Sequence, residues 1–231
     1  MRHLPILIPL FLLFMLRADA QIMIGYTGGR CHMPELNREI YIYNVMNSPV
    51  KPMKELHWFQ GPTIGFRSPG SPFFEVMYSR KKASTMSVFD SSGVVMNRRM
   101  KVYGNTFNFG FGARTNSGWG FGGSMDLGRF TGYGKRGPEE TIKDQEWQRL
   151  WVVDKTRILF ISVRLYCAAT FWVEKTVGIM TVRLYTQPLA FKQEMDGLDK
   201  WFFGGDLNYA KGNEEKFGNT GIAVYLNLGG K

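Results

Sequence analysis

The sequence predicts an all-β fold, an eight-stranded antiparallel up-and-down transmembrane β-barrel with short periplasmic turns and long outer loops. Three observations predict it. Residues 106–128, TFNFGFGARTNSGWGFGGSMDLG, set Phe107, Phe109 and Phe111, then Trp119, Phe121, Met125 and Leu127, against glycine or small polar neighbours. This period of two gives each strand one greasy face and one small face. Eight segments can be read as strands on this template, and the connections between them alternate long and short throughout. A barrel with its loops at one end and its turns at the other has that asymmetry; a soluble sandwich has no reason for it.

The chain of 231 residues, with 15% aromatics and 27 glycines, suits one β-rich domain. Residues 1–20 read as a cleaved signal peptide: Arg2 and His3 precede an apolar run from Leu4 to Leu16, and Ala18-Asp19-Ala20 offers the small-x-small cleavage pattern before Gln21. Residues 21–231 form the barrel domain. Removing Arg2, Arg17 and Asp19 from 29 basic and 19 acidic residues leaves 27 and 18, so the exported protein carries +9. No later apolar run is long enough for a membrane-crossing helix, so a membrane-embedded protein must be a barrel.

In order, the expected strands are 22–28, 58–67, 73–85, 98–114, 119–130, 157–169, 175–187 and 221–229. The first is short, and Pro62 marks a bulge or a frayed end in the second because it cannot donate to a ladder. The short connections are 68–72 (SPGSP), 115–118 (TNSG) and 170–174; the longer ones are 29–57, 86–97, 131–156 and 188–220. Within the first long loop, residues 34–47 (PELNREIYIYNVMN) open on proline and an acid and put Leu36, Ile40 and Tyr43 on one side. This predicts a short amphipathic helix.

The polar strand face is mainly Gly, Thr, Ser and Asn, which suits the crowded interior of an eight-stranded barrel better than bulk water. The apolar face, including Phe107, Phe109, Phe111, Phe121, Met125, Leu127, Leu159, Ile161, Val163, Leu165, Val182, Leu184, Ile222, Val224, Leu226 and Leu228, then faces lipid. The same parity sends Arg67, Glu75, Arg114, Asp126, Arg164 and Arg183 into the lumen, with Glu75 placed to pair with Arg67 or Arg114, and Asp126 with Arg164 or Arg183. They form either a structural plug or a narrow anion-preferring path. Arg80, Lys81, Lys82, Arg98, Arg99 and Lys101 gather where strands three and four meet the outer rim. There they can meet lipopolysaccharide phosphates or act as solvated loop charges. Trp201, Phe202, Phe203 and Tyr209 in the last loop suit a sugar, a protein partner or the lipid interface.

The export signal, the eight segments and stretches such as NTFNFGFG, WGFGGSMDLGRF and VRLYTQ resemble the small outer-membrane β-barrel proteins common in Bacteroidota, of the OmpA/OmpX-like kind. The resemblance runs over residues 21–231, and the terminal LNLGGK departs from it in lacking a final phenylalanine or tryptophan. It implies a bacterial outer-membrane location. Beyond His32 and His57 no histidine remains after cleavage, and with Cys31 they supply too few ligands for zinc and no hydrolase arrangement. No enzyme, cofactor or metal is expected. Cys31 and Cys167 are expected as free thiols at opposite ends of the barrel. Despite a pI near 9.6, the Phe–Gly alternation is already explained by strands, and nucleic acid is set aside.

The functional expectation is a monomeric, non-enzymatic outer-membrane protein. It serves as envelope structure or anchor, or binds an envelope protein or surface glycan through its loops, in contact with outer-membrane lipid including lipopolysaccharide. A porin-like narrow pore and a soluble lipocalin-like carrier of an apolar ligand are the alternatives.

Overall fold

A computed structural model of the chain describes residues 20–152, 156–158, 161–163, 166–191, 193–195, 198–203 and 214–229. Residues 1–19 of the expected signal peptide, 1–20, lie outside them. Eight long strands form the wall: β1 (Gln21–His32), β2 (Trp58–Arg67), β3 (Phe73–Ser91), β4 (Val94–Arg114), β5 (Trp119–Pro138), β6 (Tyr166–Val177), β7 (Met180–Ala190) and β8 (Gly218–Leu228). Each pairs antiparallel with its neighbours in sequence. β1 closes on β8 from Ile22 opposite Leu228 to His32 opposite Gly218, so the ring has no edge.

Three tight connections lie at one end, between β2 and β3, β4 and β5, and β6 and β7; the longer excursions lie at the other. The expected loop 86–97 is instead strand: β3 and β4 run on as a hairpin to Ser92 and Gly93, both at positive φ (56° and 83°). The alternation Met86, Val88 against Ser87 continues the period of two, and the turn chemistry sits at DSSG. β5 likewise runs on to Pro138, and Gln148–Val152 adds to its outer part.

The sixth and seventh strands are displaced from their expected positions. Residues 170–174 are not a turn but the middle of β6, and the chain reverses at Gly178 and Ile179, where Gly178 has φ 57°. Thr170-Phe171-Trp172-Val173-Glu174 consists mostly of good strand formers, and its alternation sends Trp172 and Glu174 inward. The short pieces Thr156–Ile158 and Ile161–Val163 pair with each other in a separate small sheet with Gln193–Glu194 and Glu214–Glu215. Thr156–Ile158 and Ile161–Val163 are therefore not part of the wall, so Ile161 and Val163 do not belong to its apolar face, and Leu159 and Leu165 lie outside the described residues. Pro62 neither bulges nor frays β2: the pairing with β3 keeps one register from Gln60 to Arg67.

The interior is packed in two tiers. Toward the turns, Met23, Phe73, Met77, Trp172, Tyr185, Ala223 and Tyr225 form one cluster. Toward the loops, inward residues of the wall such as Phe59, Met100, Val102, Phe130 and Tyr166 merge with Leu36, Ile40 and Tyr43 of helix α1 (Pro34–Asn47). The helix thus has its expected bounds and buries its expected face. Its apolar stripe covers the outer mouth.

The Trp172 indole fits because Gly112 and Gly122 present no side chain to it; a Cβ at either position would collide with the ring. Gly122→Val is therefore expected to overpack the lower tier and lower stability by roughly 1–3 kcal/mol, read as a reduced urea midpoint of the detergent-solubilised protein. An unchanged midpoint would contradict this packing.

Candidate functional site

The lower lumen is crossed by an ion-pair network. Arg67 at the end of β2 reaches Glu75 of β3 (Nη2 to Oε2, 2.7 Å) and Glu174 of β6 (Nη1 to Oε1, 2.7 Å). Arg183 of β7 makes the opposite pair of contacts, 2.6 Å to Glu75 Oε1 and 2.8 Å to Glu174 Oε2. Arg114 adds a bond of 3.0 Å to Glu174 Oε1 from the turn end, where its side chain is one-fifth exposed. Aromatic faces complete the shell: Arg67 lies 4.2 Å above Phe73 and Arg183 4.0 Å above Trp172.

Of the expected lumen charges, Arg67, Glu75, Arg114 and Arg183 meet in this network, and Arg164 lies outside the described residues. Asp126 does not pair with Arg183. It accepts hydrogen bonds from Ser124 Oγ, Thr170 Oγ1 and Gln187 Nε2 beside a cavity of about 30 Å³. The true position of the β6–β7 turn explains the difference: Arg183 stands three residues into β7, level with Glu174. Glu174 itself was missed because residues 170–174 read as a connection. The inward parity of Thr170 and Trp172 was the signal that could have found it.

The expected basic rim divides by the same parity. Arg80, Lys82, Arg99 and Lys101 lie on the outward face of β3 and β4, in cross-strand rows with Arg129, Tyr133 and Lys135 of β5. Lys101 Nζ stands 3.6 Å from the centre of the Trp147 ring, and Arg80 lies over Tyr103. Lys81 turns inward instead, donating to the Tyr185 hydroxyl at 3.2 Å, and Arg98 donates inward to the Phe202 carbonyl at 2.8 Å. Adjacent strand residues cannot share a face, so the six never form one patch.

The expected loop aromatics are largely internal. Trp201 and Phe202, in the short helix α2 (Leu198–Phe203), are buried in the upper tier, with Phe202 5.5 Å from the Tyr43 ring, and Phe203 packs partly against it. They close the mouth rather than offer a free sugar-binding face, because α1 gives them an apolar surface to cover. Tyr209 lies outside the described residues.

The cysteines are both unpaired, for a reason other than the expected one. Cys167 is near the outer end of its strand, as Cys31 is, but Cys31 shares the inward parity of Thr27 while Cys167 shares the outward parity of Phe171. The wall separates them. Among the described residues no three His, Cys, Asp or Glu side chains gather as a metal site, and no helix is long and apolar enough to cross a membrane.

Above the wall, Glu215 of the last loop caps α1. Its Oε2 accepts from the Leu36 amide at 2.9 Å and its Oε1 from the Lys216 amide at 2.9 Å. Burial pushes its carboxyl up to about 7, against the pull of those two amides, with the Glu35 charge raising it further.

No family model matches the chain, and no curated protein matches it. Among solved structures it is similar to Ail, the attachment invasion locus protein of Yersinia pestis, in complex with the heparin analogue sucrose octasulfate. That match has 11% identity and TM-score 0.40, over 91% of this chain and 99% of that one. A second Ail structure matches at 13% identity and TM-score 0.38, over 91% and 99% of the two chains. The outer membrane protein OprG of Pseudomonas aeruginosa matches at 9% identity and TM-score 0.36, over 92% and 94%. At such distance the barrel is read from its own strand pairing.

Two outcomes are expected. Glu174→Ala leaves three arginines around one carboxylate and should cost on the order of 3–5 kcal/mol, measured by equilibrium unfolding in detergent; a loss below about 1 kcal/mol would refute the network's role. A carboxyl whose folded pKa is raised contributes stability below its ordinary value and loses it as pH rises through the folded one. Docking of the last loop on α1 should therefore weaken as pH rises to about 7 and be weakest above it. Hydrogen exchange at the Leu36 amide, corrected for intrinsic rate, should be faster at pH 8 than at pH 6 in the native protein, and the difference should vanish in Glu215→Gln.

Proposed function

We propose that the protein is a non-enzymatic outer-membrane barrel, exported with cleavage of residues 1–20, that is held in lipid by its wall and acts through its outer surface. The observation that carries this reading is an inversion of polarity. Outside a closed ring stand exposed apolar side chains: Ile22 and Ile24 on β1, Ile64 on β2, Phe107, Phe109 and Phe111 on β4, Phe121 and Met125 on β5, Phe171 and Val173 on β6, Val182 and Leu184 on β7, and Ile222, Val224, Leu226 and Leu228 on β8. Inside, Arg67, Glu75, Asp126, Glu174 and Arg183 are buried. Water rewards the opposite arrangement; a hydrocarbon solvent stabilises this one. Gln21, the first residue after the proposed cleavage site, already pairs with Arg67 in the wall.

The interior argues against the alternatives. A pore would have to pass a lower lumen crossed by four mutually paired charged side chains, and a carrier needs room for its ligand. The lumen cavities beside Asp126 and beneath the α1 cap hold about 30 and 10 Å³, space for a water molecule. The outward cations Arg80, Lys82, Arg99 and Lys101, just above Tyr78 and Phe107, suit the phosphates of outer-leaflet lipopolysaccharide, each contributing about 1 kcal/mol near an anionic surface. The capped mouth and the projecting β3–β4 hairpin are the surfaces offered to an envelope protein or surface glycan.

The protein should fractionate with outer membranes and change gel mobility on boiling, and planar bilayers containing it should show no steady conductance. Soluble release without a mobility change would sink the membrane reading, while reproducible channels would sink the plugged lumen.

A further inference from the structure

The outward cations of β3 and β4 occupy one side of the wall. On another side, where the first and last strands close the ring, lies a cleft of about 370 Å³ lined by Arg30, His32, Thr186, Thr220 and Lys216 among others. We propose that this cleft is a site for the phosphate headgroup of an outer-leaflet amphiphile, whose acyl chains lie on the apolar wall beneath. The proposal rests on the membrane reading above and assigns a ligand class to a place that reading leaves open.

Strand pairing creates the cleft. β7 and β8 are in register from Met180 opposite Leu226 up to Thr186 opposite Thr220, and their pairing ends there. On its other side β7 slips register against β6 between Thr186 and Leu189, with Pro188 in the irregular stretch. Proline cannot extend the ladder, so the two strands part above Thr186 and open a recess in the wall.

Depth identifies the ligand. Arg30, Thr220 and Thr186 share one cross-strand row. The rows beneath read Gly28–Ile222–Leu184, then Tyr26–Val224–Val182, then Ile24–Leu226–Met180, all outward. Cations therefore begin one row above a continuous apolar surface. On β2 the residue level with Arg30 is Trp58, which is half exposed. An exposed Trp at such a boundary marks headgroup depth.

Charge points the same way. Among the described residues no carboxylate lines the cleft, and neither Arg30 nor Lys216 has an ion-pair partner. Arg38, in the neighbouring cleft that shares Arg30 and His32, differs: Glu35 holds it at 3.0 Å. The Thr186 and Thr220 hydroxyls bond each other at 2.9 Å, and one of their two protons is left to donate to a phosphate oxygen. An arginine, a lysine and a hydroxyl donor above an apolar wall match an anionic head on hydrocarbon chains better than a soluble anion, which has no use for the wall.

The test is made on full-length protein purified in detergent, in a background carrying R80A, K82A, R99A and K101A so that the other basic face is silent. Native mass spectrometry reads retention during titration with diphosphoryl lipid A. The background protein should bind it, and adding Arg30→Ala with Lys216→Ala should weaken binding about tenfold or more, while Arg30→Lys should retain most of it. Equal retention with and without Arg30 and Lys216, in variants that still show the boiling-dependent mobility change, would overturn the site. Displacement of lipid A by inorganic phosphate at millimolar concentration would overturn the amphiphile as the ligand. Failure of the membrane reading shows separately, as a native protein that is soluble and unaltered by boiling.

Discussion

The arginine–glutamate network across the lower lumen is the constraint on which the rest of the structure depends. Eight strands enclose a space about as wide as the side chains that must fill it. Charges placed there leave water entirely, and their desolvation is tolerated only when each is bound on several sides. Glu75 and Glu174 are each held by both Arg67 and Arg183, so four strands of the ring, β2, β3, β6 and β7, are tied through the centre. Arg114 makes the fifth charge and leaves the group one positive charge in excess. Its partial exposure at the turn end lets solvent carry that excess.

Filling the lumen this way also decides what the molecule can do. With the lower tier tied by ions and aromatic faces, and the upper tier closed by α1, Trp201 and Phe202, the interior is scaffold. Chemistry available to other molecules is therefore displaced to the outer surface. There the cations divide between two sides of the wall, the broad rows of β3, β4 and β5 and the recess over the β7–β8–β1 seam. In both places the charge begins just above the apolar belt. On the proposed membrane reading one physical rule, that lipid tails meet apolar groups and headgroups meet cations, organises the whole exterior.

The site was only partly legible in the sequence, for reasons that differ residue by residue. Arg67, Glu75, Arg114 and Arg183 could be assigned to the lumen because parity along a strand needs no knowledge of the partner strand. Their pairing could not, since it depends on which rows face across the ring. Glu174 was hidden by a turn expected over 170–174 instead of 178–179, where Thr170 to Glu174 lack glycine and the true reversal uses Gly178. Lys81 and Arg98 read as rim residues because they cluster with other cations in sequence, whereas neighbouring strand residues point to opposite faces. Trp201 and Phe202 gave no sign of burial, because what buries them is a helix some 160 residues earlier.

By itself the sequence determined the strand count, the apolar outward face, the helix over 34–47 and its buried side, all of which follow from local periodicity. Tertiary structure alone decided the ring's registers, the ends of β6 and β7, the partner of every lumen charge and the capping of α1 by Glu215. These depend on contacts between segments far apart in the chain. A period of two specifies a face without specifying the neighbour, and only closure of the ring, where β1 meets β8, brings the neighbours into place.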